Sequence, residues 1–226
     1  MLFKVCGMRC QEDLDLAAQS GFSMAGFIFC EKSPRHVDPE IVRTLRTRSM
    51  LRVGVLASKD ADYIADCAQK AGVDLVQLHG NQDVATMQVL GRRLGGERLI
   101  RVLWPASYKD VTDLQRDMEL FAPHCAAFLL DAGQSGGGHG ISLSLDFVGR
   151  VVFPRPWLLA GGLNAQSLDR VARLPAHLRP KGLDFNSRLE RAPGKKDARL
   201  MKEVIARAQE LHLGPDGAEG LFRKSG

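Results

Sequence analysis

The sequence predicts an α/β protein folded as a single (β/α)8 barrel, also called a TIM barrel. About eight short apolar runs alternate with amphipathic stretches along the whole chain. The runs are almost continuously apolar, which is typical of parallel strands that are covered on both faces. The length of 226 residues is also close to the usual size of such a barrel.

Each repeating unit begins with a run that favours a β-strand, because it is rich in β-branched and other apolar residues. In chain order the runs are FKVCG, MAGFIFC, LRVGVLA, VDLVQLHG, RLIRVLW, AAFLLDA, PWLLAGG and KGLDFN. The amphipathic stretches that follow them are QEDLDLAAQSG, DPEIVRTLRTRS, KDADYIADCAQKAG, NQDVATMQVLGRRLG, KDVTDLQRDMELF, LSLDFVGRVV, NAQSLDRVARLP and DARLMKEVIARAQELH. In the second stretch, Asp38 is a suitable N-cap and Pro39 suits the first helical turn.

The main alternative fold is a doubly wound open sheet, which usually carries a glycine fingerprint after its first strand. The first turn here is CGMRC, which lacks that fingerprint. No linker or low-complexity segment divides the chain, so we expect one barrel domain over residues 1–212. The glycine-rich, polar residues 213–226 are expected to form a flexible tail.

Composition and charge exclude several classes of protein. The net charge of +5 is mild, and the strongest basic cluster, RAPGKKDAR, is expected to be solvated surface rather than a nucleic-acid patch. No apolar run approaches the length of a membrane span, and the opening FKVCGM does not have the pattern of a signal peptide. Five cysteines without a dense framework indicate reduced thiols and a cytoplasmic protein. We therefore expect neither nucleic acid nor membrane as a partner.

Function in such a barrel is expected where the strands end and the following loops begin. Few polar or special residues stand there, and all of them face one mouth of the predicted barrel. They are Cys6 after the first strand, Arg35 in KSPRHV after the second, Gln77 and His79 at the fourth, Asp131 at the sixth, Gly161 and Gly162 at the seventh, and Asp184, Asn186 and Ser187 at the eighth.

These positions leave alternatives open. Asp131 ends a strongly apolar strand, where a carboxyl group suits general acid catalysis, but an aspartate there also suits loop ordering. Gly161 and Gly162, followed by Asn164 as a helix cap, suit an anion site built from backbone N–H groups or a tight turn without a ligand. Arg35 suits a bidentate carboxylate contact or a surface position. His79 is more typical of a structural histidine than of a catalyst.

An ordered series of these motifs resembles the phosphoribosylanthranilate isomerase family, from about residue 3 to residue 200. The series is KVCGMR, GFIFCEKSPRHV, VGVLAS, VQLHG, LLDAGQSGGGHG, LLAGGLN and LDFNSRLERAPGKKD. The resemblance implies an isomerase of tryptophan biosynthesis that works without a cofactor on a small phosphorylated substrate. It also implies that Cys6 is the general base and Asp131 the general acid of an Amadori rearrangement.

The same resemblance places Arg35 at the anthranilate carboxylate, and Gly161 and Gly162 at the phosphate, together with the backbone near Asn186 and Ser187. A thiolate is a competent base near neutral pH if its surroundings lower the pKa of the thiol, and we expect Cys6 to be exposed to the barrel mouth. Two residues depart from the family pattern. Arg188 replaces a glycine beside the phosphate, and His139 stands where serine or threonine is more usual.

Two other functions compete with this one. Another sugar-phosphate isomerase or epimerase would usually show paired carboxylates or metal-bound histidines at the strand ends, and we find no such set. Cys6 and Cys10 do not form a convincing metal pair, so no metal is expected. A non-catalytic phosphate-binding barrel would not need both Cys6 and Asp131. A monomer and a homodimer are both compatible with the sequence.

Overall fold

The computed structural model describes residues 1–133, 145–214 and 221–222, and its eight parallel strands close into a barrel. The predicted fold class is therefore confirmed, and each predicted run contributes one strand. The barrel strands are β1 (Leu2–Val5), β2 (Met24–Ile28), β3 (Leu51–Leu56), β4 (Leu75–Leu78), β5 (Leu99–Leu103), β6 (Ala127–Asp131), β7 (Trp157–Ala160) and β8 (Gly182–Phe185).

The barrel closes through β1, which pairs with β2 on one side and with β8 on the other. In the closing pair, Lys4 lies opposite Asp184 and Val5 lies opposite Phe185. Closure therefore brings the start of the chain against a strand that comes about 180 residues later.

A helix follows each barrel strand. The helices are α1 (Gln11–Ser20), α2 (Pro39–Thr44), α3 (Ala61–Ala71), α4 (Val84–Leu94), α5 (Val111–Phe121), α6 (Leu145–Arg150), α7 (Leu168–Arg173) and α8 (Ala198–Glu210). The predicted cap of α2 is confirmed, because the Asp38 carboxylate accepts a hydrogen bond from the Glu40 N–H and Pro39 occupies the first turn. Among the described residues, no helix combines the length and apolar character that a membrane span requires.

The strand residues alternate between two cores, because neighbouring side chains of a strand point to opposite faces. On β1, Leu2 belongs to the apolar filling of the barrel, whereas Phe3 and Val5 belong to the larger core between the barrel and the helices. Lys4 shares the inward face of Leu2, and Cys6 follows two residues later. The barrel interior is thus apolar at its base and polar toward the carboxyl ends of the strands.

A short hairpin follows β8 and consists of β9 (Glu190–Ala192) and β10 (Lys195–Lys196). Gly194 turns the chain between them with a φ of 75°, in the left-handed region that favours glycine. This hairpin lies in the basic cluster that we expected to be solvated surface. For Lys196 that prediction is wrong, because its side chain is buried and its ammonium group pairs with Glu190.

The C-terminal segment is described only in part, and its predicted flexibility stays a prediction. Leu213, its first residue, is buried against the outer core. Phe222 is also buried and belongs to the apolar filling of the barrel together with Leu2 and Met24. Residues 215–220 and 223–226 lie outside the described residues.

Candidate active site

A pocket of about 380 Å³ opens at the carboxyl ends of the barrel strands. The structure gathers nearly all of the predicted site residues there, although they come from five different strand–loop connections. Those that line the pocket are Cys6, Gln77, His79, Asp131, Gly161, Gly162, Asp184, Asn186 and Ser187. Arg35 and Arg188 are not among its lining residues.

Cys6 continues the first strand by one residue, and its backbone N–H donates to the Phe185 carbonyl oxygen at 2.8 Å. The side chain lines the pocket but is only 4% exposed, so the expectation of an exposed thiol is wrong. Burial raises the pKa of the Cys6 thiol above its ordinary value, although Lys4 and Lys196 act in the opposite direction. The condition of a lowered pKa is therefore not met, because desolvation disfavours the thiolate.

Gly7 explains why a glycine follows the cysteine. Its φ is 77°, a left-handed backbone conformation that residues other than glycine rarely adopt. A β-carbon there would also lie 2.8 Å from Arg35 Cδ and 2.9 Å from Asn186 Oδ1. The glycine lets the first loop turn sharply and brings two site residues close to the backbone beside Cys6.

Asp131 ends β6, and its Oδ1 accepts a hydrogen bond of 2.8 Å from the Gly133 N–H. This contact is the loop-ordering role that the sequence left open, and it leaves the carboxylate as part of the pocket lining. Gly161 packs against the same loop, because a β-carbon there would lie 2.3 Å from the Gly133 nitrogen. The glycine at the end of β7 is therefore required by the loop that carries Asp131.

His79 stands between Asp131 and Gln77. Its Nδ1 is 3.3 Å from Gln77 Nε2, a contact in which the amide N–H donates when the ring proton is on Nε2. That nitrogen is 3.8 Å from Asp131 Oδ2. Burial lowers the pKa of His79 below its ordinary value of 6.5, although Asp131 raises it, so the ring is neutral at pH 7. The indole of Trp104 packs edge-on against the ring.

Lys4 and Asp184 form a buried ion pair beneath the pocket, with 2.8 Å between Nζ and Oδ2. The Lys4 side chain is fully buried. Burial acts to lower the pKa of Lys4, but Asp184 and Cys6 outweigh it and the pKa is raised. Asp184 Oδ1 is buried without a hydrogen-bond partner, and so is Gln77 Oε1. Both residues line the pocket, so these two buried acceptors are candidate hydrogen-bond partners for a ligand.

Arg35 makes a fork-shaped contact with Glu190 rather than standing free on the surface. Its Nη2 lies 2.7 Å from Glu190 Oε2, and its Nε lies 3.0 Å from Oε1. Lys196 Nζ contacts the same carboxylate at 2.8 Å and donates to Asn186 Oδ1 at 3.2 Å. Burial acts to raise the pKa of Glu190, but Arg35 and Lys196 outweigh it and the pKa is lowered. The hairpin therefore braces Arg35 and Asn186 at the edge of the pocket.

The loop after β7 turns at Gly161 and Gly162, which have φ values of 109° and 64°. A β-carbon on Gly162 would meet open space, so its backbone is accessible from the pocket. Asn164 caps a 3-10 turn over Ala165–Ser167 instead of α7 itself, which begins at Leu168. The prediction that Asn164 caps the helix is corrected to this turn, because Ser167 and Asn164 satisfy each other's backbone N–H groups.

The loop after β8 places the other predicted phosphate residues. Asn186 and Ser187 line the pocket, and Ser187 begins a 3-10 turn that ends at Leu189. Arg188 is exposed on this turn. His139 lies outside the described residues.

Sequence reasoning missed three residues of the site, namely Lys4, Glu190 and Lys196. A signal for Lys4 was present, because it precedes Cys6 by two positions and strand alternation puts both on the same face. Glu190 and Lys196 had no comparable local signal, because their roles depend on contact with Arg35. No group of three or more His, Cys, Asp or Glu side chains suits a metal ion among the residues that the structure describes.

Comparison with known proteins agrees with this architecture. The family model for N-(5'phosphoribosyl)anthranilate (PRA) isomerase matches residues 3–207. An N-(5'-phosphoribosyl)anthranilate isomerase of Desulfovibrio desulfuricans is 45% identical over 206 residues, which cover 91% of this chain and 94% of that protein.

Two solved structures extend the comparison. A phosphoribosyl anthranilate isomerase in complex with reduced 1-(o-carboxyphenylamino)-1-deoxyribulose 5-phosphate has a TM-score of 0.74 and 28% identity, and the match covers 93% of this chain and all of that one. A structure of monomers generated from the dimeric enzyme of Thermotoga maritima has a TM-score of 0.73 and 28% identity, with 92% and 98% coverage. Together with the family match over residues 3–207, these similarities show that the chain belongs to the N-(5'-phosphoribosyl)anthranilate isomerase family.

Proposed function

We propose that Cys6 and Asp131 are the base and the acid with which this member of the isomerase family of tryptophan biosynthesis performs an Amadori rearrangement. The substrate is N-(5'-phosphoribosyl)anthranilate and the product is 1-(2-carboxyphenylamino)-1-deoxyribulose 5-phosphate. The observation that carries the proposal is the placement of a thiol and a carboxyl group at the ends of β1 and β6, in the lining of one pocket. No cofactor is needed, because the reaction moves protons within one molecule.

The rearrangement needs one proton donor and one proton acceptor on the sugar. Asp131 gives a proton to the ribose ring oxygen, the bond from that oxygen to C1' breaks, and the anthranilate nitrogen supplies the electrons that form an iminium ion. The Cys6 thiolate then removes the proton from C2', and the electrons of that bond neutralise the iminium ion to an enolamine. Tautomerisation of the enolamine gives the ketone, so no net oxidation occurs.

The rest of the pocket matches the other groups of this substrate. The backbone at Gly161 and Gly162, together with Asn186 and Ser187, would bind the phosphate. The unpartnered oxygens of Gln77 and Asp184 would accept hydrogen bonds from ribose hydroxyl groups. A related isomerase was solved in complex with the reduced ketose phosphate, a ligand of this chemistry, which supports the assignment. His79, neutral beside Asp131, would keep that carboxyl group in place.

A fluorescence assay tests the function directly. Phosphoribosylanthranilate is fluorescent through its aminobenzoate ring, and we expect purified protein to extinguish that fluorescence catalytically in the presence of a metal chelator. The product should be identified as the ketose phosphate by mass and by reduction with borohydride. Absence of turnover with chelator present would refute the cofactor-free mechanism.

We infer a cytoplasmic location, which the free thiol state of all five cysteines supports. A monomer and a homodimer both remain predictions for this chain, as does the lack of a nucleic-acid partner. Sedimentation of the purified protein at several concentrations distinguishes the two oligomeric states.

Arg35→Lys should raise KM for the substrate about tenfold or more while leaving kcat within a few-fold. Arg35 would hold the anthranilate carboxylate with the N–H groups that Glu190 does not occupy, and a lysine loses the planar fork while keeping the charge. Loss of a hydrogen bond to a charged group is worth about 1.5–3 kcal/mol, which corresponds to at least about a tenfold change. Steady-state kinetics on the purified variant measures the effect.

Arg179→Lys is the matched control, because the Arg179 guanidinium donates to the backbone carbonyls of Leu174 and Ala172, before β8 begins. It should leave KM unchanged. If KM is unchanged in Arg35→Lys, as in the control, Arg35 has only a structural role in its contact with Glu190.

Arg188→Ala should raise KM by a few-fold at low salt, and the difference should shrink at high salt. The exposed guanidinium would reach the phosphate from the loop after β8, and salt screens an exposed charge. Arg188→Gly should be less harmful than Arg188→Ala, because glycine restores the backbone freedom at this loop. Equal KM values for the wild type and Arg188→Ala at low salt would show that Arg188 points into solvent.

A further inference from the structure

Lys4 lies one layer beneath the proposed base, inside the barrel. Its side chain is fully buried and points to the same side of β1 as Cys6, two residues farther along the chain. A fully buried ammonium group is costly unless it is paired, so its partners indicate what it does. The backbone groups of β1 and β8 pair in register, so the ion pair is an addition to the hydrogen bonds that close the barrel.

The Lys4 ammonium group has two neighbours. One is Asp184 Oδ2, at 2.8 Å. The other is the Cys6 sulfur, because both groups occupy the space next to Gly26 on β2 that a side chain would otherwise fill. A β-carbon on Gly26 would lie 2.9 Å from Cys6 Sγ and 3.0 Å from Lys4 Nζ. Glycine at this position therefore leaves room for the sulfur and the ammonium group to stand side by side.

We propose that Lys4 is a positioning residue for the isomerisation: its ammonium group, shared between Asp184 and the Cys6 sulfur, supports the thiolate when Cys6 loses its proton. It also holds Asp184 so that the other carboxylate oxygen, Oδ1, is left for the substrate. This inference rests on the role of Cys6 proposed above. It adds that the base is activated from inside the barrel rather than by the pocket or by solvent.

The charged groups around Cys6 make opposite contributions. Lys4 on the same strand and Lys196 on the hairpin favour the thiolate, and Asp184 on β8 disfavours it. Arg35, on the loop after β2, is also within electrostatic reach of Cys6. β2 carries no charged residue, and its Gly26 lies against the sulfur. The two partners of the buried ion pair thus act on the sulfur in opposite directions, which distinguishes this role from plain structural support.

The test compares Lys4→Met, Asp184→Asn and the double variant with the wild type. The rate of alkylation of Cys6 by iodoacetamide is measured against pH, and the extent is determined by mass spectrometry on the proteolytic peptide that contains Cys6. In the wild type, trypsin releases Cys6 in the peptide VCGMR, separate from the other four cysteines. Alkylation of Cys10, which is exposed, serves as the internal control for reagent and pH.

We expect Lys4→Met to slow the alkylation of Cys6 about tenfold or more near pH 7 and to move its pH dependence to higher pH. Asp184→Asn should accelerate alkylation and move the pH dependence to lower pH. The pH profile of kcat/KM of Lys4→Met should shift upward in parallel, with partial recovery of activity at alkaline pH. Lys195→Met, which removes an exposed cation of the hairpin, should leave Cys6 unchanged.

A pH dependence of Cys6 alkylation that is the same in Lys4→Met as in the wild type would overturn the proposal, and so would shifts of the same sign in the two single variants. If Lys4→Met does not fold, the double variant is compared with Asp184→Asn, because removal of both buried charges is better tolerated than removal of one. The alkylation assay needs no turnover. If the wild type is active and the pH dependence of Cys6 alkylation is unshifted in Lys4→Met, only the role of Lys4 is rejected. An inactive wild type rejects the proposed function.

Discussion

Cys6→Ser is expected to lower kcat by at least about 10²-fold, with little change in KM. A general base contributes about 10²–10⁴-fold to the rate, and a hydroxyl group is a far weaker base than a thiolate near neutral pH. Serine fills nearly the same volume at this buried position, so the fold and the binding of the substrate should be retained. Cys6→Ala should be impaired to a similar degree. Steady-state fluorescence kinetics gives both parameters, and circular dichroism checks the fold.

Cys30→Ser is the matched control, because Cys30 lines the same pocket but is not proposed to move a proton. It should retain kcat within a few-fold. If Cys6→Ser keeps most of the wild-type kcat, the cysteine is not the base, and a different residue of the pocket must take the C2' proton.

Asp131→Asn should lower kcat by about 10²-fold or more, again with a small effect on KM. Asparagine preserves the shape of the side chain, and its carbonyl oxygen can still accept the hydrogen bond from the Gly133 N–H. The variant therefore removes the transferable proton while it keeps the loop-ordering contact. A loss of kcat with an unchanged melting temperature would assign Asp131 to proton transfer rather than to loop structure.

Asp60→Asn provides the comparison for this substitution. Asp60 caps α3, where asparagine is an equally good cap, so neither stability nor kcat should change appreciably. If Asp131→Asn lowers the melting temperature and raises KM while kcat is kept, the aspartate orders the loop and does not supply the proton.

Much of the fold was accessible from local patterns. The eight apolar runs each became a barrel strand, and the residues at their ends, from Cys6 to Asn186, were placed at one mouth. This works because parallel strands of a barrel all point the same way, so that position along a strand is enough to predict a shared edge. The length of a helix was less predictable. The amphipathic stretch after β2 continues beyond Thr44, where α2 ends at a Leu45 in an extended conformation.

The electrostatic state of the site could not be predicted in the same way. The sequence suggested a cysteine exposed to the barrel mouth, which would need a lowered pKa to act as a base, and a solvated basic cluster at RAPGKKDAR. In the structure Cys6 is buried with a raised pKa, and Lys196 of that cluster is buried against Glu190. Desolvation depends on every group that packs around an atom, and no local pattern of residues contains that information.

The sequence by itself therefore determined the strand order and the mouth of the barrel, because strand periodicity and turn residues act over a few neighbouring positions. The proton-transfer roles of Cys6 and Asp131 were implied by the family resemblance and stay a proposal. Only the tertiary structure decided which charged side chains form ion pairs. Lys4 pairs with Asp184 across a separation of 180 residues, and Arg35 pairs with Glu190 across 155. Barrel closure makes β1 and β8 neighbours and brings the hairpin after β8 against the loop after β2. The energy of a buried charge is set by such neighbours, and they exist only once the chain has folded.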